Sequence, residues 1–349
     1  MLFQNNINIF KQYIKMQSFL FLFLSSIFVG FSYEFSNENR FSLWLKEYLI
    51  TVKNEDHRHR LFENWLSNDE YIEHVNHQNF TYTLGHNKFS GMSQSEYIDY
   101  FNLKNIFFDY QHGNKVDTEY VELADSVNWI ESGAVTPVKD QGQCGSCWSF
   151  STTGSLEGAY YIKYGKLLSF SEQQLVSCDN FKHGGHDMGC NGGLMDSAFQ
   201  WIEQNNGLCL ESDYSYVSGT TGKSGSCETT CDVVKNSVIH EYNDVAPSSD
   251  DAMMSALMQQ PVSIAIQADQ KEFQLYQSGV FTGSCGVELD HGVLVVGYGS
   301  ENGEDYYLIK NSWSTSWGDN GYIKLGRGSQ YNSGAGQCGM LMQGSYPIV

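Results

Sequence analysis

Apolar positions along the chain change their period. In the stretch Phe41–Ile50, Leu43, Trp44, Leu45, Tyr48 and Leu49 recur at near-helical spacing, and in Arg58–Val75 the residues Leu61, Phe62, Trp65, Leu66 and Ile72 do the same. Another helical pattern runs from Cys147 to Tyr164, with Leu156, Tyr160 and Tyr164 on one face and Gly165 as its stop. Ser171-Glu172-Gln173-Gln174 has the form of a capping box that opens a short helix. Leu194, Ala198, Trp201 and Ile202 make a further helical face, and a helix near Ala252–Gln259 must end before Pro261, whose ring cannot continue it. From about residue 236 onward strand patterns dominate, at Val262–Ile266, Val293–Tyr298, Tyr306–Ile309 and Tyr322–Leu325. A helical half followed by a β half predicts an α+β fold with a cleft where the halves meet.

Three zones precede and contain this pattern. Residues 1–32 read as a signal peptide: Lys11 and Lys15 precede an apolar run from Phe19 to Phe31, too short to cross a bilayer comfortably, and Met16 is an alternative start. Residues 33–122 hold no cysteine and read as helical. From Leu123 the chain is rich in glycine and cysteine, with a helical lobe over about 123–235 and a β lobe over about 236–349. No repeat or long low-complexity tract interrupts it.

Length and composition narrow the class. The 349 residues suffice for a large core, and 41% hydrophobic with 17% charged residues excludes disorder. The formal net charge of −20, with no basic stripe, argues against nucleic acid as a partner. All nine cysteines lie at or after Cys144, so an even number of bridged cysteines leaves one thiol over.

That odd thiol has a candidate use. Cys147 stands where a helix begins, and free N–H groups and the macrodipole there favour an anion. Such placement lowers a thiol pKa from about 8.5 toward roughly 3.5–7.5, and the thiolate is the attacking species. Gly142 and Gly145 let the preceding loop turn tightly. Among ten histidines, His291 in Leu289-Asp290-His291-Gly292 is mounted directly before an apolar strand. Asn311, in Lys310-Asn311-Ser312-Trp313, comes after another strand and carries a carbonyl able to orient an imidazole.

Cys144-Gly145-Ser146-Cys147-Trp148 matches the Cys-Gly-Ser/Ala-Cys-Trp/Tyr signature, and the chain from about residue 40 to its end resembles papain-like cysteine proteases of the cathepsin L type. Further matching motifs are Gly-Ala-Val-Thr-Pro-Val-Lys-Asp-Gln-Gly at 133–142, Gly189-Cys190-Asn191-Gly192-Gly193, Asp290-His291-Gly292, and Asn311-Ser312-Trp313 with Trp317-Gly318. His291 falls within the about 130–150 residues downstream of the cysteine that the family uses, and Asn311 lies slightly beyond, which implies loop insertions. The resemblance implies a two-lobed papain-like fold, helical left and β-barrel-like right, with the active-site cleft between. It implies Cys147 as nucleophile, His291 as imidazolium partner, Asn311 as the holder of the ring, Trp313 as its shield, and the Gln141 side chain with the Cys147 N–H as oxyanion donors.

The same resemblance places substrate on Gly192 and Gly193. It lines the main specificity pocket with Leu194, Met195, Ala265, Leu289 and Gly292, beside Asp290, with Gln343 at the floor. Small and apolar walls imply a bulky apolar residue two positions before the cleaved bond, Leu or Phe over Arg. Family matching gives the bridges Cys144–Cys190 and Cys285–Cys338. For the rest, Cys178–Cys227 with Cys209–Cys231 is preferred, other pairings staying open. His183 and His186 beside cysteines have the look of a zinc site, but those cysteines have better partners in bridges, so no metal is expected. The chemistry implies no cofactor.

Residues 33–122 resemble the family's inhibitory propeptide. Asn68, Ile72 and Asn76 fit its helical motif, with Trp65 where Phe is usual, while Leu61 stands for an expected Arg and His57 for an expected Glu. Gly85, Asn87 and Phe89 fit the next motif, and Gly91 replaces an acidic residue. Asn79-Phe80-Thr81 is the glycosylation sequon. The mature enzyme is expected to begin near Leu123 or Ala124. The whole reads as a zymogen of a lysosomal or secreted, monomeric cysteine endopeptidase. Its partners would be protein and peptide substrates, its own propeptide, and cystatin-like inhibitors. No extra segment resembles an exopeptidase's cleft-blocking loop. A silent papain-fold binding or storage protein is the rival reading, and intact Gln141, Cys147, His291 and Asn311 argue against it.

Overall fold

The computed structural model describes residues 37–103, 114–115 and 122–349. The signal-peptide expectation at 1–32 lies outside the described residues. By internal contacts the chain forms two compact units, Met1–Ser67 and Asn68–Val349.

In the first unit a helix over residues 37–47 (α1) leads to the start of α2, Glu55–Asn76. Phe41, Trp44, Leu61 and Trp65 form its small core. Arg58 reaches Glu38 at 2.6 Å and lies over the Phe41 ring, so its charge is both paired and stacked. The helical pattern at 41–50 extends further back than the apolar residues indicate and stops at residue 47.

The second unit opens with strand β1, Tyr82–Leu84, and helix α3, Gln94–Phe101. Ser93 caps α3, accepting from the Glu96 N–H while Glu96 reaches back to the Ser93 N–H. The short strands β2, Asn114–Lys115, and β3, Val127–Asn128, come next. Helices α4 (Cys147–Tyr164), α5 (Glu172–Cys178), α6 (Met195–Gln204) and α7 (Ser218–Thr221) then fill the middle of the chain. Gly165 ends α4 in the left-handed conformation. Ser171 caps α5 through the Gln174 N–H, but the box is half made, because the Gln174 side chain accepts from Cys209 N–H instead.

The rest of the unit is mostly strand: β4 (Glu241–Asp244), β5 (Val262–Ile266), β6 (Tyr276–Phe281), β7 (His291–Glu301), β8 (Glu304–Lys310), β9 (Tyr322–Gly326) and β10 (Gly344–Ile348), with helices α8 (Asp250–Leu257) and α9 (Lys271–Gln274) between them. They join in an open sheet ordered β1-β6-β9-β8-β7-β5-β10-β4-β2, with β3 added on β7. Two cores serve this unit. One lies against the sheet around Trp313, Trp317, Val295 and Ile309. The other packs α4, α5 and α6 around Trp148, Leu156, Phe199 and Ile202. The architecture is α+β.

Four disulfides staple the unit: Cys144–Cys190, Cys178–Cys227, Cys209–Cys231 and Cys285–Cys338. Cys147 is the free cysteine among the described residues, and it is buried.

Candidate active site

Strand pairing assembles the site. In the β5–β7 ladder Ala265 faces Gly292 and Ile266 faces His291. In the β7–β8 ladder Leu294 faces Lys310, so Asn311, one residue past β8, comes level with the start of β7. The His291 Nε2 lies 2.8 Å from the Asn311 Oδ1, which fixes the hydrogen on Nε2 as the donor and leaves Nδ1 to act elsewhere. The Trp313 ring stacks on the imidazole at 4.6 Å and excludes water from that bond. Nδ1 has no hydrogen-bond partner among the described residues.

Helix α4 meets this strand end-on. The backbone of Trp148 runs so close to Gly292 that a Cβ there would sit 3.2 Å from the Trp148 Cα, so any larger residue would need its neighbours to give by a few tenths of an ångström. The contact places the first turn of α4 against the residue after His291. Ser146 makes no side-chain cap, and the backbone N–H groups of Gly292, Trp148 and Cys147 favour the thiolate at Cys147. Burial nonetheless pushes the thiol up to about 11, against the pull of those N–H groups. Burial likewise lowers His291 to about 4, with Asn311 opposing. Both groups are therefore neutral in this closed form.

Gln141 is held by a strand-like bridge between Asp140 and Trp313, and its N–H donates to Ser312 O at 2.9 Å. Its Oε1 accepts from Ser312 Oγ at 2.7 Å and Trp313 Nε1 at 3.2 Å, while Nε2 donates to Cys144 O at 3.0 Å. With its oxygen saturated, the amide keeps both N–H bonds on the Cys144–Cys147 side. Tyr216, which carries no signal of its own in the sequence, bonds the Gln141 carbonyl at 2.8 Å and Ser146 Oγ at 2.7 Å, locking the loop.

The remaining candidate residues gather nearby. Gly192 has a φ of +108°, and a Cβ on Gly193 would strike the Trp148 ring and the Asp187 carboxyl. Met195, Ala265 and Leu289 share one buried apolar cluster, with Leu194 at the N-cap of α6. Gln343 accepts from Ala265 N–H through its backbone at 3.2 Å. The Asp290 carboxyl turns inward to the Ala268 N–H at 2.8 Å, and burial raises it to about 8. Asn79 is exposed in the turn after α2, whereas the Thr81 hydroxyl of its sequon donates to Val280 O at 2.6 Å. Among the described residues no group of three or more His, Cys, Asp or Glu could hold a metal.

Behind the site lie four charged residues to which the sequence assigns no role: Lys139, Glu172 and Lys310, each inside a motif quoted above for other residues, and Glu157 inside α4. Lys139 bridges Glu157 at 3.0 Å and Glu172 at 2.5 Å, and Lys310 donates to Thr136 at 2.9 Å. Burial opposes the Lys139 charge, but the two carboxylates outweigh it and raise its pKa; burial lowers Lys310 to about 8. They surround a cavity of about 20 Å³, room for one water, that reaches Asn311 and Ser312.

Residues before the cysteine-rich zone cover this region. Phe101 stacks on Trp313 at 4.3 Å, and Phe89 and Tyr97 meet the same ring edge-on. Asn102 reaches Cys190 O at 3.4 Å and sits against Gly145. Asn68 bonds the carbonyls of Ser90 and Met92, and Asn76 bonds both backbone groups of the Leu84 position, so the matching asparagines of the helical motif tie the end of α2 to β1 and to the turn before α3.

A thiol at a helix N-terminus beside an imidazole held by an amide defines the class of thiol hydrolases. Residues 123–348 match the model of the papain family cysteine protease, residues 41–97 match the cathepsin propeptide inhibitor domain (I29), and the chain belongs to the papain family. It is 41% identical over 317 residues to a probable cysteine protease RD21B of Arabidopsis thaliana, a match covering 89% of this chain. The chain spans 66% of that relative's length, just under two thirds. It is 38% identical over 359 residues to the KDEL-tailed cysteine endopeptidase CEP2 of the same plant, covering 95% of each. Its structure resembles the crystal structure of the Amb a 11 cysteine protease, a ragweed pollen allergen, in its proform, with a TM-score of 0.80, 34% identity, and coverage of 90% of this chain and 94% of that one.

Proposed function

We propose that this chain is the precursor of a cysteine endopeptidase. Its segments would be a signal peptide at 1–32, an inhibitory propeptide at 33–122 and a mature peptidase at 123–349. The observation that supports this best is the His291 ring, pinned by Asn311 and Trp313 with Nδ1 unpartnered among the described residues, while Gly292 beside it packs on the first turn of the helix that opens at Cys147.

In the active form the Cys147 proton resides on His291 Nδ1. The thiolate adds to the scissile carbonyl carbon, and the oxygen's charge is received by Gln141 Nε2 and the Cys147 N–H. The intermediate collapses with the C–N bond breaking, and the imidazolium gives its proton to the departing amine. Water, losing a proton to His291, then adds to the thioester, and the thiolate leaves. Substrate lies along Gly192 and Gly193, and the pocket of Leu194, Met195, Ala265, Leu289 and Gly292 takes a bulky apolar side chain two positions before the cut. Burial in the closed form keeps thiol and imidazole neutral, so departure of the segment over Trp313 switches on the charge pair by rehydrating it.

The reading is tested by acid incubation of the full chain, then labelling with an epoxide thiol inhibitor and assay on a fluorogenic peptide. Label on Cys147 and hydrolysis, both absent in Cys147→Ala, are expected. Processing without label at Cys147 would instead favour a silent papain-fold binding protein. N-terminal sequencing of the product tests the expected start near Leu123 or Ala124. Residence in a lysosome-like compartment or outside the cell fits the same scheme.

A further inference from the structure

The hydroxyl of Tyr216 touches both ends of the loop that leads into α4. It has a single hydrogen, and the Gln141 carbonyl at 2.8 Å can only accept, so Tyr216 Oη donates to Gln141 O. Ser146 Oγ, 2.7 Å away, then donates to the Tyr216 oxygen. Burial raises the pKa of the phenol, so its proton stays in place. A third bond joins the same two segments, from the Gln143 N–H to Gly219 O at 2.9 Å.

The phenol is itself delivered from fixed points. Glu211 Oε1 accepts from the Tyr216 N–H at 2.8 Å, and Gln173 Oε1, on α5, accepts from the Val217 and Ser218 N–H groups at 2.8 Å and 3.0 Å. The ring stands edge-on to Phe150 of α4, with centroids 4.9 Å apart. Side chains outside the loop thus hold the backbone at Tyr216, and the hydroxyl reaches into the loop from there.

Position matters because the two proposed oxyanion donors hang from the clamped residues. One is the side chain of Gln141; the other is the N–H of Cys147, the residue after Ser146. A single oxygen bonded to both Gln141 O and Ser146 Oγ keeps those atoms within two hydrogen-bond lengths of each other. The separation of the donors is then set before charge develops, and donors placed in advance stabilise an oxyanion without a cost of reorganisation.

We propose that Tyr216 is a positioning residue of the peptidase reaction, whose hydroxyl sets the spacing of the two oxyanion donors by bridging Gln141 and Ser146. The inference rests on the oxyanion assignment proposed above and deepens it. Tyr216 takes no part in bond making and acts through Gln141.

The test is Tyr216→Phe in the full chain, matured by acid as above. The ring keeps its place against Phe150, and only the hydroxyl is lost. On a fluorogenic peptide kcat should fall about 10-fold with KM little changed, less than the roughly 10²–10³-fold of a lost donor. Alkylation of Cys147 by iodoacetamide should keep its wild-type rate, because sulfur displaces iodide from a saturated carbon and no oxyanion forms. Affinity for a peptide aldehyde, whose thiol adduct carries an oxygen in place of the intermediate's, should fall by the same factor as kcat/KM. In a Gln141→Ala background, Tyr216→Phe should cost less than about 2-fold more. A wild-type kcat in Tyr216→Phe, a loss shared equally by alkylation, or a full loss retained beside Gln141→Ala overturns the inference. If Tyr216→Phe does not mature, Ser146→Ala removes the other arm of the clamp: a lower kcat with unchanged alkylation supports the inference, and an unchanged kcat overturns it. Each overturning result leaves the peptidase reading standing as long as the wild type is labelled and hydrolyses the peptide; absence of both in the wild type rejects that reading itself.

Discussion

Gln141 does two things with one amide. Its oxygen ties the loop before α4 to Ser312 and Trp313, and its nitrogen faces the nucleophile's loop. Gln141→Ala should therefore lower kcat roughly 10²–10³-fold, the scale of one lost oxyanion donor, with KM little changed. Steady-state kinetics on a fluorogenic peptide would show it; a fall confined to KM would remove Gln141 from the oxyanion site. Asn311→Ala leaves a buried imidazole nitrogen unpaired, costing about 1–3 kcal/mol in stability, and frees the ring to rotate. Thermal unfolding and kcat should fall together, whereas a stable variant with full kcat would mean that Trp313 alone orients the ring.

At the scale of elements, the proposed latency would rest on the aromatic cover over Trp313. Phe101 and Phe89 are buried to 1% exposure each, and truncating a buried Phe costs about 3–5 kcal/mol. Phe101→Ala should loosen this cover more than the sheet beneath it. On a gel, the variant precursor should mature faster at pH 5 and begin maturing at a higher pH than wild type. Unchanged processing would place the controlling contact elsewhere. Much of this scale is legible in sequence: the Cys147–Tyr164 helix and the Val262–Ile266 strand have the bounds their periodicity indicates. Helix α3 is not, although Ser93-Gln94-Ser95-Glu96 carries a capping box, because its eight residues are too few for a clear period. Strands β4 and β10 escape the pattern because they are short and acquire partners only across long separations. Nothing in the sequence pairs Lys139, Glu157, Glu172 and Lys310; only the fold brings them together in the interior. Tyr216 is hidden for the same reason, since its partners Gln141 and Ser146 lie far back along the chain.

The molecule as a whole carries an unusual proton balance. Burial raises the carboxyls of Asp179 and Asp196 to about 6, Glu211 to about 7 and Asp290 to about 8, and raises Asp187 as well. Each binds a proton in the fold at pH values where the unfolded chain has released it, so its stabilising share is full below about 4 and is lost as pH rises through 6 to 8. His291 acts oppositely: held near 4 in the closed fold, it costs stability as pH falls below about 6.5. Five carboxyls against one imidazole predict a protein at least about 5 °C more heat-stable at pH 5 than at pH 7.5 by scanning calorimetry. A flat or inverted profile would mean that these carboxyls are solvated in solution.

Among the described residues eight cysteines tied in pairs leave a solitary sulfur, and it is buried. A lone reactive thiol in an oxidising secretory route invites scrambling and adduct formation. Under the proposed maturation the buried Cys147 stays inert until processing, so iodoacetamide should modify the precursor far more slowly than the matured enzyme. On the proposed reading, a segment that holds back proteolysis would by the same burial guard this sulfur from oxidants.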